Sequence, residues 1–254
     1  MIADLKTDYD LTVEGDVSAF LGVQLTTTAT GQILLTQTGL IDDILASTTM
    51  TNCKPDSTPA APNPLGPCLD EEPMTESWHY LSVVGKLLYL AANSHPDISF
   101  AVHQVARFSA SPRKSHALAI KCICRYLQGT KDKGLLLSPS GEMIVDAYAD
   151  ADFAGLWHSV DPGNPDSVRS CTGYVVTLAN CPLLWVSCLQ TEIALSTMEA
   201  EYIALSQCMR DLIPMRRLVS EVALHLGYNQ SVPCRSYSKI FEDNSSALTL
   251  ANSP

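Results

Sequence analysis

Positive charge is scarce in this 254-residue sequence: 16 Lys and Arg stand against 27 Asp and Glu, for a formal net charge of −11. That balance argues against a free-standing nucleic-acid binder driven by bulk electrostatics. No apolar run approaches the roughly 20 residues that cross a bilayer. The N-terminus, M-I-A-D-L-K-T-D-Y-D, lacks both the basic and the apolar segment of a secretory signal. An intracellular setting, cytoplasmic or nuclear, with no membrane partner is therefore expected. Zinc-ligand spacing is missing too. The nine cysteines are odd in number, and the nearest two, Cys122 and Cys124, have no matching second pair. Reduced, mostly buried thiols fit best. His95, His103 and His116 are not at i, i+4 spacing, so metal binding by them is not expected. There is no internal repeat and no long low-complexity tract. Apolar residues make up 46% of the chain, enough for a packed core, and the length allows one large domain or two ordinary ones.

The few positive charges are unevenly spread. Between Ala101 and Lys133, seven Lys and Arg face a single acid, Asp132. Arg107, Arg113, Lys114, Lys121 and Arg125 in this stretch form either a solvated helix face or a phosphate-contacting surface.

Taken in order, residues 1–46 read as a strand pair and a short helix. F-L-G-V-Q-L-T and I-L-L-T-Q flank a turn around Gly31. Asp42 and Asp43 then fall in a first helical turn, where acids complement the helix dipole. Residues 53–77 carry six of the fifteen prolines and read as an extended linker. Residues 78–128 read as three helices. The first has an apolar stripe of Leu81, Val84, Leu88 and Ala91. The second opens on Pro96 and turns Ile98, Val102 and Val105 inward. The third opens on Ser111–Pro112 and turns Ala119, Ile123 and Leu127 inward. From Leu135 the pattern changes to strands. M-I-V-D-A-Y-A-D ends at Asp150, and T-G-Y-V-V-T-L and P-L-L-W-V-S follow, with the polar loop D-P-G-N-P-D before the second. After a helix, R-S-Y-S-K-I-F-E-D ends at Asp243 and N-S-S-A-L-T-L-A begins another helix. Three strands, helix, strand, helix predict an α/β fold with a mixed sheet whose first three strands form a meander.

The helix between Ser196 and Leu212 is the centre of this region. Ser196 followed by Glu199 forms a capping box, and no Gly or Pro intervenes before Pro214. At 3.6 residues per turn, Met198, Glu201, Leu205, Cys208 and Leu212 share one stripe. Four of those five are apolar, so the stripe faces a core and carries Glu201 with it. A carboxylate so placed costs several kcal/mol unless a cation or hydrogen-bond donors meet it. Ligand sites in open α/β sheets gather at strand ends. Asp150 and Asp243 at two strand ends can therefore converge with Glu201. Three carboxylates together require counter-charge, which hard divalent cations supply. A two-metal carboxylate site suits in-line attack of water on a phosphodiester. A rival, the Asp-x-Asp of haloacid-dehalogenase phosphatases, is poorly matched: Phe153, Ala154 and Gly155 follow D-A-D, with no accompanying Lys.

Y-A-D-A-D-F-A-G, R-S-C-T-G-Y-V-V, L-S-T-M-E-A-E-Y-I-A-L and E-D-N-S-S-A-L together resemble the ribonuclease H domain of copia-type retrotransposon polyproteins. Upstream, Y-L-S-V-V-G-K-L-L-Y-L, H-P-D-I-S-F-A-V and R-Y-L-Q-G-T-K resemble the connection to the reverse transcriptase. A-F-L-G-V-Q-L and C-K-P-D-S-T-P resemble the end of that polymerase. The resemblance implies four parts: a reverse transcriptase palm-end and thumb remnant over 1–52, a Pro-rich linker over 53–77, a helical connection over 78–133, and a ribonuclease H-like domain over 134–254. It implies Asp150, Glu201 and Asp243 as the catalytic and metal-binding acids and Mg²⁺ or Mn²⁺ as the ion. An RNA–DNA hybrid and the remainder of the Pol polyprotein are the implied partners.

The departures from the family pattern carry their own expectation. The family's fourth metal-binding acid, final strand and closing helix lie beyond the point matched by Pro254, and the Tyr-x-Asp-Asp polymerase motif is absent. His95, Cys122 and Cys188 stand where the family tends to carry basic residues. The expected function is that of a retrotransposon reverse transcriptase/ribonuclease H fragment with impaired hybrid hydrolysis. The alternative is a non-catalytic remnant that at most binds nucleic acid through residues 101–133.

Overall fold

The computed structural model describes residues 18–60, 65–68, 70–155, 157, 165–227 and 237–253. Parts of four expectations lie outside them: residues 1–17 of the N-terminal segment, 61–64 and 69 of the proline-rich stretch, most of the D-P-G-N-P-D loop, and the first two residues of R-S-Y-S-K-I-F-E-D. Among the described residues the architecture is mixed α/β, with two four-stranded sheets and two hydrophobic cores.

The first sheet is antiparallel, in the order β1 (Ala19–Phe20), β2 (Val23–Thr27), β3 (Ile33–Thr36) and β4 (Leu135–Leu137). The expected hairpin is β2–β3, closed at Gly31 with a φ of +81°. The expected single strand F-L-G-V breaks in two, because Leu21 and Gly22 both take positive φ and reverse the chain. β4 lies past the boundary expected at 133/134, yet it pairs with β3, Leu34 opposite Leu136. Gly134 permits this approach, since a Cβ there would sit 2.1 Å from the Leu35 carbonyl oxygen.

The larger core lies among α1 (Thr38–Ser47), α2 (Tyr80–Asn93), α3 (Ser99–Ala106) and α4 (Lys114–Thr130), with a 3-10 turn at Pro96–Ile98. Ile41, Ile44, Leu87, Leu90, Ile98, Ile120 and Leu127 are wholly buried in it. The inward face of α2 differs from the expected stripe. Tyr80, Val83, Leu87 and Leu90 are buried along with Val84 and Ala91, whereas Leu81 and Leu88 are exposed. Both sets satisfy helical periodicity, and packing against α1 and α3 selects between them. α4 begins at Lys114, later than the Ser111–Pro112 start expected. The Pro112 carbonyl instead accepts from Met74 N, and Glu71 caps the helix by accepting from Ser115 N at 2.9 Å. The proline-rich stretch is thus a strap laid across the helices. Leu65 and Met74 pack on the core, and Asp56 N bonds the Arg125 carbonyl.

The second sheet has the order β7 (Cys181–Leu189), β6 (Cys171–Leu178), β5 (Val145–Ala151), β8 (Ile240–Phe241). β5–β6–β7 is an antiparallel meander, and β8 joins β5 in parallel. A four-residue helix, α5 (Pro165–Val168), precedes β6. α6 (Thr197–His225) crosses one face of the sheet, and α7 (Ser245–Ala251) follows β8. α6 runs through Pro214 where a stop was expected. An internal proline costs about 3 kcal/mol, and here Met215 and Val219 still pack on the core beyond it. β7 and α2 are tied where Trp185 Nε1 donates to the Ala91 carbonyl at 2.7 Å. Among the described residues no helix is long and apolar enough to cross a membrane.

Candidate metal centre

Val145, Ala147 and Ala149 of β5 pack beneath Leu205, Cys208 and Leu212 of α6. Small side chains on the strand let the helix approach closely. The opposite face of β5 carries Tyr148 and then Asp150. Tyr148 is in register with Phe241 of the parallel β8, and their rings stack at 4.7 Å. Asp150 and Asp243 each follow that pair by two residues, so the parallel register sets them side by side. Asp146 Oδ1 accepts from Lys239 N at 2.8 Å and pins the start of β8 in the same register.

Glu201 is brought in by the start of α6. Ser196 Oγ accepts from Glu199 N at 3.2 Å, and Glu199 reaches back to Leu195 N at 2.8 Å. Buried Gln190 anchors this first turn, donating through Nε2 to the Ala200 carbonyl at 2.9 Å and to Thr172 Oγ1 at 3.1 Å. One ligand oxygen from each of Asp150, Glu201 and Asp243 lies within 4.8 Å of the others.

The electrostatics of this cluster are unfavourable as it stands. Glu201 is only 7% exposed. Its Oε2 is buried without a hydrogen-bond partner among the described residues. Burial first, then the neighbouring Glu242 and Asp150 carboxylates, push its pKa up to about 7. Glu242 is also raised, by burial and by Asp243 and Asp150. No ion pair among the described residues reaches any of the four acids. Oxygen-only donors, an orphaned buried carboxylate oxygen and uncompensated negative charge fit a hard divalent cation such as Mg²⁺ or Mn²⁺.

The predicted basic surface is differently employed. Lys121 pairs with Glu76 at 2.7 Å, Lys114 pairs with Glu72, and Arg113 donates to the Glu71 carbonyl at 3.1 Å. Arg125 lies 3.9 Å from Asp56 and donates to Cys122 Sγ at 2.9 Å. Arg107 donates to Gln104 and to the Asp166 carbonyl. The strap thus supplies most of the partners of the α4 cations. Asp42 and Asp43, expected to serve a helix dipole, lie mid-helix and pair with Lys131 at 2.6 Å and Lys86 at 2.9 Å. His116 stacks on Phe108 and bonds Gly66, a structural role.

Sequence reasoning missed Glu242, Asp146 and Gln190. The first was visible as the other acid of the E-D pair. The others act through backbone groups that carry no sequence signal. Beside Asp150, a cleft of about 490 Å³ runs between the second sheet and α3, with Phe100, Tyr148, Gly173 and Trp185 in its walls.

An α/β protein with three clustered carboxylates at adjoining strand ends and a helix start is the class defined to this point. Its relatives narrow it further. The chain is 35% identical over 207 residues to the retrovirus-related Pol polyprotein from transposon RE1 of Arabidopsis thaliana, covering 82% of this chain and 13% of the relative. It is 35% identical over 229 residues to that from transposon TNT 1-94 of Nicotiana tabacum, covering 87% and 17%. An uncharacterized mitochondrial protein of Arabidopsis thaliana is 31% identical over 212 residues, 84% of either chain. The chain belongs to the retrovirus-related Pol polyproteins of copia-type transposons. It spans less than a fifth of the length of these two polyproteins. No family model matches the chain, and no solved structure does.

Proposed function

We propose that residues 138–254, the part of the expected 134–254 segment that follows β4, form a ribonuclease H-like domain whose chemistry is hydrolysis of RNA in RNA–DNA hybrids. Residues 18–52, the strap and the helices are then the polymerase end and the connection that precede it. The observation that carries this reading is the mutual approach of Asp150, Glu201 and Asp243 within 4.8 Å. The resemblance of the surrounding motifs to the copia-type ribonuclease H domain supports the same three residues.

These three residues would hold Mg²⁺ or Mn²⁺. The chemistry such ions supply when bound is neutralisation of charge on the attacking and leaving oxygens of an in-line phosphodiester hydrolysis. The chain's own part is to fix the carboxylates. The Tyr148–Phe241 stack and Asp146 set the register of the two aspartates, and Gln190 and the Ser196 cap set the height of Glu201. The β5 end is open to solvent on the side of the aromatic cleft, which leaves room for a duplex backbone. Residues 1–254 alone are expected to cleave slowly, because three carboxylates complete the shell of one ion and not of two.

The rival reading, a non-catalytic binder acting through residues 101–133, is weakened by the ion pairs that engage those cations. Titration of the purified chain with Mn²⁺, followed by the paramagnetic signal of the free ion, tests the metal centre. The parent should bind, and Asp150→Asn should weaken binding by more than about tenfold. Equal binding by both would remove the proposal's foundation.

A further inference from the structure

We infer that the aromatic cleft beside Asp150 is a stacking site for an unpaired nucleotide strand, which it leads toward the acid cluster. The inference rests on the metal-centre reading of Asp150, Glu201 and Asp243 and names the form of substrate that the same site takes up.

Side chains directly opposite one another in neighbouring strands share a face of the sheet. Phe241, Tyr148, Val175 and Trp185 are opposite one another across β8, β5, β6 and β7, and they form one row on the face away from α6. Asp150, Gly173 and Ser187 form the next row, two residues or roughly 7 Å along the strands. A row of aromatic rings thus runs beside a row that ends in an acid of the cluster. Phe100 adds a further ring from α3. Tyr148 is 50% exposed and Phe100 46%, so both rings are open to a ligand. The bond from Trp185 Nε1 to the Ala91 carbonyl fixes the third ring, which leaves it little freedom to lose on stacking. Gly173 keeps the floor of the cleft low beside Asp150. A Cβ there would have only the Asp150 carbonyl oxygen near, at 4.0 Å, so packing does not demand a glycine.

The occupant follows from chemistry and size. Unpaired bases stack on aromatic rings presented by an open sheet, whereas the bases of a duplex cover one another and offer no free face. A cleft of about 490 Å³ has the size of a single-ligand site and is too small for a duplex. The chain has a net charge of −11, and Lys114 and Lys121 are already paired. Affinity for a nucleic acid therefore has to come from ring faces more than from phosphate contacts. Asp150 belongs both to the cleft and to the acid cluster. A strand held by its bases on the aromatic row has its phosphates beside the proposed ion. The single-stranded end of a hybrid, RNA or DNA, meets these conditions.

The experiment uses the whole 254-residue chain and a short fluorescein-labelled single-stranded oligo(A) RNA, with Mg²⁺ present and binding followed by fluorescence anisotropy. The parent should bind it, and a DNA of the same sequence should bind comparably, because a ring face does not read the 2′-hydroxyl. Phe100→Leu keeps an apolar side chain but removes the ring. It should weaken binding by about fivefold or more, the lower end of what base–aromatic stacking contributes. Phe100→Trp restores a stacking face and should bind at least as well as the parent, a rescue that a merely structural role would not give. The log–log salt slope should not exceed about 1.4, the equivalent of two phosphates on a single strand. Mn²⁺ binding, read from the paramagnetic signal of the free ion, should be the same in Phe100→Leu as in the parent. If Mn²⁺ binds but Phe100→Leu holds the oligonucleotide as the parent does, the cleft is no stacking site although the centre stands. A steeper salt slope would also overturn the inference. So would a parent that binds no oligonucleotide and self-associates through Phe100, which would make this face a contact between copies. If the parent binds no Mn²⁺, or Asp150→Asn binds it as well as the parent, the metal-centre reading fails and takes this inference with it.

Discussion

The two cores of this protein handle charge in opposite ways. Around the helical core, nearly every cation is answered within the chain: Lys86 by Asp43, Lys131 by Asp42, Lys114 by Glu72, Lys121 by Glu76. Around the second sheet, Asp150, Glu201 and Asp243 gather, and no ion pair among the described residues reaches them. The first arrangement is self-sufficient and serves to hold elements together. The second, on the proposed reading, is completed by a divalent cation. In a chain whose net charge is −11, the sparse cations are used as ties between α1, α4 and the strap. The acids at the strand ends are left over because no tie was built for them.

The comparison can be broken most severely at the helical core. Leu90 is wholly buried there, and Leu90→Ala should cost about 2–5 kcal/mol, measured by urea denaturation. A loss well below that would mean the ion pairs and not the apolar core hold this region.

A smaller effect of the opposite sign is expected at Glu201. Its carboxyl is raised from an ordinary 4.5 to about 7 by burial and acidic neighbours. Below about pH 4.5 both folded and unfolded chains hold the proton, so there is no penalty. Between 4.5 and 7 the folded chain holds the proton and the unfolded one releases it, and stability falls as pH rises. Above 7 the penalty is complete. Metal-free protein should therefore melt higher at pH 5 than at pH 8, by about 2–4 °C for each kcal/mol in a chain of this size. Glu201→Gln should flatten that dependence, and its melting temperature at pH 8 should exceed the parent's. An unchanged pH profile would show that Glu201 is not under the strain its surroundings imply.

The smallest effect concerns the ties themselves. Glu76→Gln removes the partner of Lys121, and a partly exposed pair of this kind contributes about 0.2–1 kcal/mol. Combined replacement of Glu72 and Glu76 by Gln should free Lys114 and Lys121 on α4. Weak hybrid binding should then depend more steeply on salt, by about 0.9 in log–log slope for each phosphate engaged on B-form DNA. No steepening would mean that the α4 face is a solvated surface whether or not the strap neutralises it.

Much of this was legible in the sequence, and the failures share a cause. The order of strands and helices in the second sheet followed from period-2 and period-3.6 patterns, and the inward stripe of α6 identified Glu201 as anomalous. The convergence of the three acids followed from their positions at element ends. What could not be read was pairing at long range. β4 looks like the first strand of the downstream sheet, and only Gly134 hints that it fits against β3. The stripe of α2 had two equally periodic solutions, and packing chose the one without Leu81 and Leu88. The fate of the basic residues depended on where a proline-rich segment lay, which local pattern does not encode. Glu242 was passed over because its neighbour Asp243 fitted the motif.

Cleavage of a labelled RNA–DNA hybrid by purified residues 1–254 with Mg²⁺, beside an Asp150→Asn control, tests the central claim most directly. The account predicts slow cleavage that requires the divalent ion and disappears in the control. Cleavage that persists in Asp150→Asn would contradict it. So would an absence of cleavage in a folded parent that binds both the ion and the hybrid.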